Sequence, residues 1–125
     1  MHVNTYAPSG TQFRITSGEH RAVVTEVGAA VREYSVGGRD VFVPFPEDQI
    51  SPAYHGAVLV PWPNRLRDGR YEFDGGTHQV PVNEPERGTA LHGLSTSMRW
   101  DLVDHAPDAV TLELRLPRPR GTRSR

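Results

Sequence analysis

Arg70-Tyr71-Glu72-Phe73-Asp74-Gly75-Gly76-Thr77-His78-Gln79-Val80 is the stretch that decides the fold class. Two short runs with aromatic and β-branched residues flank Asp-Gly-Gly. Gly takes positive φ without steric cost, so the chain is expected to turn back here as a β-hairpin. Tyr71 and Phe73 then share one face of the first strand. The same pattern extends outward. Toward the C-terminus, Met98 to His105 and Ala109 to Leu116 read as a strand pair around Ala106-Pro107-Asp108. Val110, Leu112, Leu114 and Leu116 alternate with mostly polar or charged residues, which predicts one buried and one solvated face. Toward the N-terminus, Gln12 to Thr16, Arg21 to Val27 and Val31 to Val36 read as strands. Gly37-Gly38-Arg39-Asp40 reads as a tight turn that returns through Val41-Phe42-Val43.

Pro44 to Pro63 is proline-rich and reads as loop, because Pro lacks the N–H that a central strand needs. Val82 to Leu94 also reads as loop. The 12 glycines and 11 prolines are spread along the chain, which cuts it into short segments and disfavours long helices. The expected fold is all-β with antiparallel strands.

Bulk properties narrow the function. A chain of 125 residues fits one domain or part of one. Folding at this size hides roughly 65% of the unfolded surface, enough for a modest core. The formal net charge of -1 gives no reason to expect nucleic acid or an anionic membrane as partner. Cysteine is absent, which excludes disulfides and thiolate metal sites. The N-terminus shows no signal-peptide pattern, and no apolar run approaches the ~20 residues needed to span a bilayer. A soluble, cytoplasmic protein is expected. From Pro117 the composition changes to Pro-Arg-Pro-Arg-Gly-Thr-Arg-Ser-Arg. Residues 1–117 are expected to belong to one β domain and 118–125 to a disordered basic tail.

Three side chains stand out chemically. Asn64 and Arg65 follow Pro63; an amide donates and accepts, and a guanidinium is a planar fork of donors. Together they suit the vicinal hydroxyls of a sugar. The plainer alternative is a surface ion pair of Arg65, for instance with Asp68, and a turn closed by Asn64. His92, before Gly93, offers one donor and one acceptor for a hydroxyl or ring oxygen. Its alternative is a core or turn histidine. Trp62, Tyr54, Phe45 and Trp100 suit an apolar wall or simple core packing. Glu84 and Glu86 flank Pro85 in a loop, where a carboxylate could act as an acid or base; the plainer alternative is a pair of solvated loop acids. The histidines show no metal-ligand spacing, so no metal site is assigned.

Taken in order, Gly56-Ala57-Val58-Leu59-Val60-Pro61-Trp62-Pro63-Asn64-Arg65-Leu66, then Asp68-Gly69-Arg70-Tyr71, Asn83-Glu84-Pro85 and Ala90-Leu91-His92-Gly93-Leu94 resemble the aldose 1-epimerase (galactose mutarotase) family. The resemblance is sharpest over 56–100 and extends over 10–116. It implies an antiparallel β-sandwich of the galactose-mutarotase-like type, here truncated. It implies sugar contacts by Asn64, Arg65 and His92, with His92 supporting the ring side. The implied activity interconverts the α and β anomers of a free hexose of glucose or galactose type, with no cofactor. In that family the acid is a second histidine and the base a glutamate, both in the later half of a longer chain. Neither is found in this sequence. Little or no activity is therefore expected of this chain alone. A non-catalytic carbohydrate-binding module and a non-functional truncated fragment stand as alternatives, and self-association or a separate C-terminal half would cover its open edges. A phosphorylated sugar would need further cations, for which Arg67, Arg70 and Arg87 lie in suitable loops.

Overall fold

The β-branched and aromatic runs form the strands, and Gly, Asp and Pro close the turns between them. A computed structural model describes residues 7–116; the tail expected at 118–125 lies outside the described residues. Every strand pair among the described residues is antiparallel. The described residues fall into two compact units. One joins the chain up to Val58 with Ser95–Leu114; the other holds Leu59–Leu94 together with Arg115 and Leu116.

In the first unit, β1 (Gln12–Ser17), β2 (His20–Thr25), β3 (Val31–Val36) and β4 (Arg39–Asp40) form a sheet in sequential order. Burial alternates along each strand: in β1 Phe13 is buried while Arg14 and Thr16 are exposed, and in β2 Val23 is buried on the opposite face of the sheet, opposite Arg14 in the register. Thr25 is also fully buried, and its hydroxyl donates to Val27 O at 2.7 Å and accepts from Ala30 N–H at 3.2 Å. That side chain shapes the bend that carries β2 into β3.

The return strand after Gly37-Gly38 differs from expectation. It is Arg39–Asp40 and not Val41–Val43. The two glycines alone, at φ of 58° and 83°, make the turn, so Val36 pairs directly with Arg39. The N–H groups of Val41 and Phe42 then both converge on Tyr34 O, at 2.7 and 3.2 Å, which breaks the ladder like a bulge. Val41 and Val43 are left 55% and 67% exposed.

Ser95 to Trp100 returns to the end of β2. Gly28 N–H donates to Met98 O and Trp100 N–H to Glu26 O, at 2.8 and 2.9 Å. The Glu26 carboxylate accepts from Thr11 N–H at 2.9 Å and from Arg99 at 2.8 Å. The hydrogen bond from Thr11 N–H, with the hydrogen bond and charge of Arg99, holds this carboxyl below its usual range. The chain then forms the hairpin of β9 (Asp101–Ala106) and β10 (Ala109–Glu113). His105 donates through Nε2 to Arg14 O at 2.9 Å and meets Phe13 edge-on at 5.7 Å. The alternation read over 110–116 holds: Val110, Leu112, Leu114 and Leu116 are partly buried and their neighbours exposed.

The second unit contains β5 (Arg65–Arg67), β6 (Arg70–Phe73), β7 (Gly76–Gln79) and β8 (Thr89–Leu91). β6 and β7 make the hairpin that the sequence announces, with Asp74 and Gly75 as its two turn residues and Gly76 already in the return strand. β5 pairs with β8, although neither was expected as a strand. Each is only three residues long, too short to show a period.

Burial separates the valines of the first unit. Val23 is 2% exposed and Val103 is 57% exposed. Val23→Ala is expected to cost about 2 kcal/mol, and Val103→Ala less than ~0.5 kcal/mol, in urea unfolding midpoints. Equal losses would contradict this placement of the core.

Candidate functional site

The three pairs of the β5–β8 ladder are Arg65 with Leu91, Leu66 with Ala90, and Arg67 with Thr89. One step further along lie Asn64 and His92. His92 N–H donates to Asn64 O at 2.8 Å, and Asn64 N–H donates to Nδ1 of the His92 ring at 2.8 Å. These two candidates, 28 positions apart, are therefore tied directly to one another. An amide N–H can only donate, so Nδ1 must accept. The neutral imidazole then carries its proton on Nε2.

Both residues have left-handed backbone, with φ of 66° at Asn64 and 59° at His92. Asn and His are among the few side chains that tolerate this region. The nearby Val60–Pro61 bond is cis. Gly93 lies at φ 77°, and a Cβ there would stand 2.1 Å from Val60 O. Only glycine lets these backbones close, and Leu94 N–H completes the contact by donating to Val60 O at 2.7 Å.

Arg65 does form an ion pair, but its partner is Glu84, not Asp68. Nε donates to Oε1 at 2.7 Å and Nη2 to Oε2 at 3.2 Å, a two-pronged contact. Thr89 donates its hydroxyl to Oε1 at 2.7 Å, and Arg87 stands 3.7 Å from Oε2. The bonds from Arg65 and Thr89 hold the Glu84 carboxyl down to about 2, and Glu84 in turn raises the Arg65 guanidinium. Glu84 is thus not the solvated loop acid the sequence suggested; Glu86 is exposed.

The loop that delivers Glu84 is compact. Pro85 starts a single 3-10 turn over Pro85–Arg87, and Gly88 ends it at φ 64°. The chain comes straight back, so Glu84 and Thr89 exchange both backbone hydrogen bonds. Proline at the start of a turn and glycine just past its end was the readable signal for this return. Asn83 adds a clamp: its amide donates to Leu91 O at 3.0 Å and accepts from Leu91 N–H at 2.7 Å. Asn83 and Thr89 were not singled out from the sequence.

Trp62 belongs to this unit and is partly buried, with Nε1–H donating to Ala90 O at 3.2 Å. Phe45, Tyr54 and Trp100 belong to the other unit, where Phe45 is buried, Tyr54 exposed and Trp100 partly buried. Arg70 donates to the Gln79 side chain at 3.1 Å. Among the described residues, no cluster of three or more His, Asp or Glu suits a metal ion, and no helix is long and apolar enough to cross a membrane.

The sign of the Glu84 shift fixes a pH dependence. Its carboxyl, ordinarily near 4.5, is held near 2 in the folded chain. The stabilisation it gives is complete above its unfolded value and is lost as pH falls from there toward 2. The Leu91 amide resonance is expected to weaken over that acid range in the parent chain and to show no such step in Glu84→Gln. An identical acid profile in both would refute the assignment.

Comparison with known proteins gives one consistent answer. The family model described as aldose 1-epimerase matches residues 11–122. The uncharacterized protein YihR of Escherichia coli (strain K12) is 31% identical over 121 residues, covering 97% of this chain and 39% of YihR. The GalM/aldose epimerase homologue from C. elegans superposes with a TM-score of 0.69 at 22% identity, over 81% of this chain and 34% of that one. A galactose mutarotase-like protein from Clostridium acetobutylicum gives 0.66 at 22%, over 79% and 32%. At that identity the likeness is one of fold: this chain has the all-β architecture of part of a galactose-mutarotase-like structure. It spans about two fifths of the curated relative it matches and about a third of each solved chain.

Proposed function

Because the chain belongs to the aldose 1-epimerase family, we propose that Asn64, Arg65 and His92 orient the pyranose ring of a free hexose of glucose or galactose type. The protein class it represents interconverts the α and β anomers of such a sugar. The observation that carries this reading is the double hydrogen bond between Asn64 and His92. It joins two candidates distant in sequence at one end of a single ladder, beside Arg65.

The chemistry follows from the groups. Ring opening needs a base to take the anomeric hydroxyl proton and an acid to protonate the ring oxygen. Rotation about C1–C2 and closure on the other face give the other anomer. With Nδ1 accepting from Asn64 N–H, the neutral His92 ring carries its proton on Nε2, a donor type suited to a ring oxygen or hydroxyl. Arg65 uses Nε–H and one Nη2–H on Glu84, which leaves the two N–H groups of Nη1 and the second of Nη2 as donors for hydroxyls. These groups hold and polarise the sugar. Acid and base groups on opposite sides of it commonly contribute ~10²–10⁴-fold each. By the family resemblance, the acid and base are a second histidine and a glutamate from the later half of longer relatives, so the part assigned to Asn64, Arg65 and His92 is orientation.

Two measurements test the proposal. Titration with D-galactose or D-glucose is expected to saturate and to weaken at least about tenfold in Arg65→Ala, because hydrogen bonds from a charged group are worth about 1.5–3 kcal/mol. Polarimetry on freshly dissolved α-glucose is expected to give the buffer rate. No binding would sink the sugar reading, and a rate well above the blank would sink the division of labour.

A further inference from the structure

Glu84 has more contacts than a loop carboxylate needs, and all of them face the protein. We propose that Glu84 is the positioning residue for Arg65: anchored by Thr89, its carboxylate fixes the guanidinium in the orientation that meets a sugar hydroxyl. This rests on the sugar-orienting role given to Arg65 above and extends it to a residue that does not touch the ligand.

Exposure assigns the roles within the pair. The Glu84 side chain is 13% exposed and the Arg65 side chain 42%. The acid is tucked behind and the cation is presented. Glu84 is also fixed at every level. Its backbone is bonded both ways to Thr89, and the hydroxyl of the same Thr89 donates to Oε1. Thr89 is held in β8 opposite Arg67, two residues along β5 from Arg65. The support and the supported group therefore hang from one ladder.

The carboxylate has little left to offer a ligand. Arg65 occupies one side of each oxygen, Thr89 takes the other side of Oε1, and Arg87 stands beside Oε2. Two cations and a hydroxyl surround it, which makes it a weak base for substrate chemistry. What it does supply is order. A free arginine has many rotamers, and freezing one is a cost normally met on binding. A two-pronged contact meets that cost in the folded chain.

The test uses the full chain with ¹⁵N label. In the parent, the Arg65 Nε–H resonance, identified by its loss in Arg65→Ala, is expected to be sharp and slow to exchange with water. Glu84→Gln is expected to shift it and speed its exchange, and to weaken D-galactose binding roughly two- to tenfold. Adding Glu84→Gln to Arg65→Ala is expected to weaken binding no further. A further loss in that double variant would mark Glu84 as merely structural and overturn the proposal. An unchanged Arg65 resonance in Glu84→Gln would overturn it too. If Glu84→Gln does not fold, the near-isosteric Thr89→Val removes one anchor of Glu84, and the same shift is expected at smaller size; its absence counts against the proposal. A parent chain that binds no galactose overturns the preceding sugar reading instead, and the Arg65 resonance then decides the positioning role alone.

Discussion

A carbonyl, two amide N–H groups and a ring nitrogen set the geometry of the candidate site. His92 N–H meets Asn64 O, and Asn64 N–H meets His92 Nδ1. Either bond alone is worth about 0.5–1.5 kcal/mol. Together they close a ring between two backbones in the left-handed region, where a non-glycine residue ordinarily costs about 1–2 kcal/mol. The bonds and the conformational cost are of similar size, so the arrangement persists only because its surroundings enforce it. Strain held in this way is characteristic of functional sites.

The enforcement comes from a short ladder with many side supports. Three residue pairs of β5 and β8 would not be stable by themselves. Trp62 donates into the carbonyl of buried Ala90, Asn83 clamps both backbone groups of Leu91, and Glu84 bridges to Thr89. Each residue of β8 thus has a second partner besides β5. This explains how so brief a strand can hold Arg65 and His92 in fixed relation. It also explains the closeness of Gly93 to Val60, where a methyl group would have no room.

The regular hairpins were legible in the sequence, and the site's scaffold was not. Phe13, Val23 and the Val110–Leu116 series carry a period of two, and β1, β3 and β6 appear close to where that period puts them. At Gly37-Gly38 the turn was legible but its length was not: a two-residue turn moves the pairing earlier and leaves Val41 and Val43 outside the regular ladder and exposed. β5 and β8 are invisible to periodicity at three residues each. They are held because the side chains of Asn83 and Trp62 and the backbone of Glu84 complete the bonding of β8, and such bonds leave no period in a sequence. Asn64, Arg65 and His92 were recognisable as chemistry. The pairing of Arg65 with Glu84 instead of nearby Asp68 depends on the Pro85–Gly88 return, a tertiary fact.

That return has a consequence for how such a site can be built. Asn64, Arg65, Glu84 and His92 all belong to one compact unit, Leu59–Leu94. Their mutual distances are set by hydrogen bonds within that unit. Orienting a sugar asks only that a few donors and acceptors keep fixed spacing, and a local ladder meets that demand. Moving a proton at the anomeric hydroxyl and another at the ring oxygen asks for groups on opposite sides of the ring. One ladder end presents groups from one side. On the proposed sugar reading, this ladder end is a binding half-site built locally, and groups elsewhere in the fold serve the proton transfers.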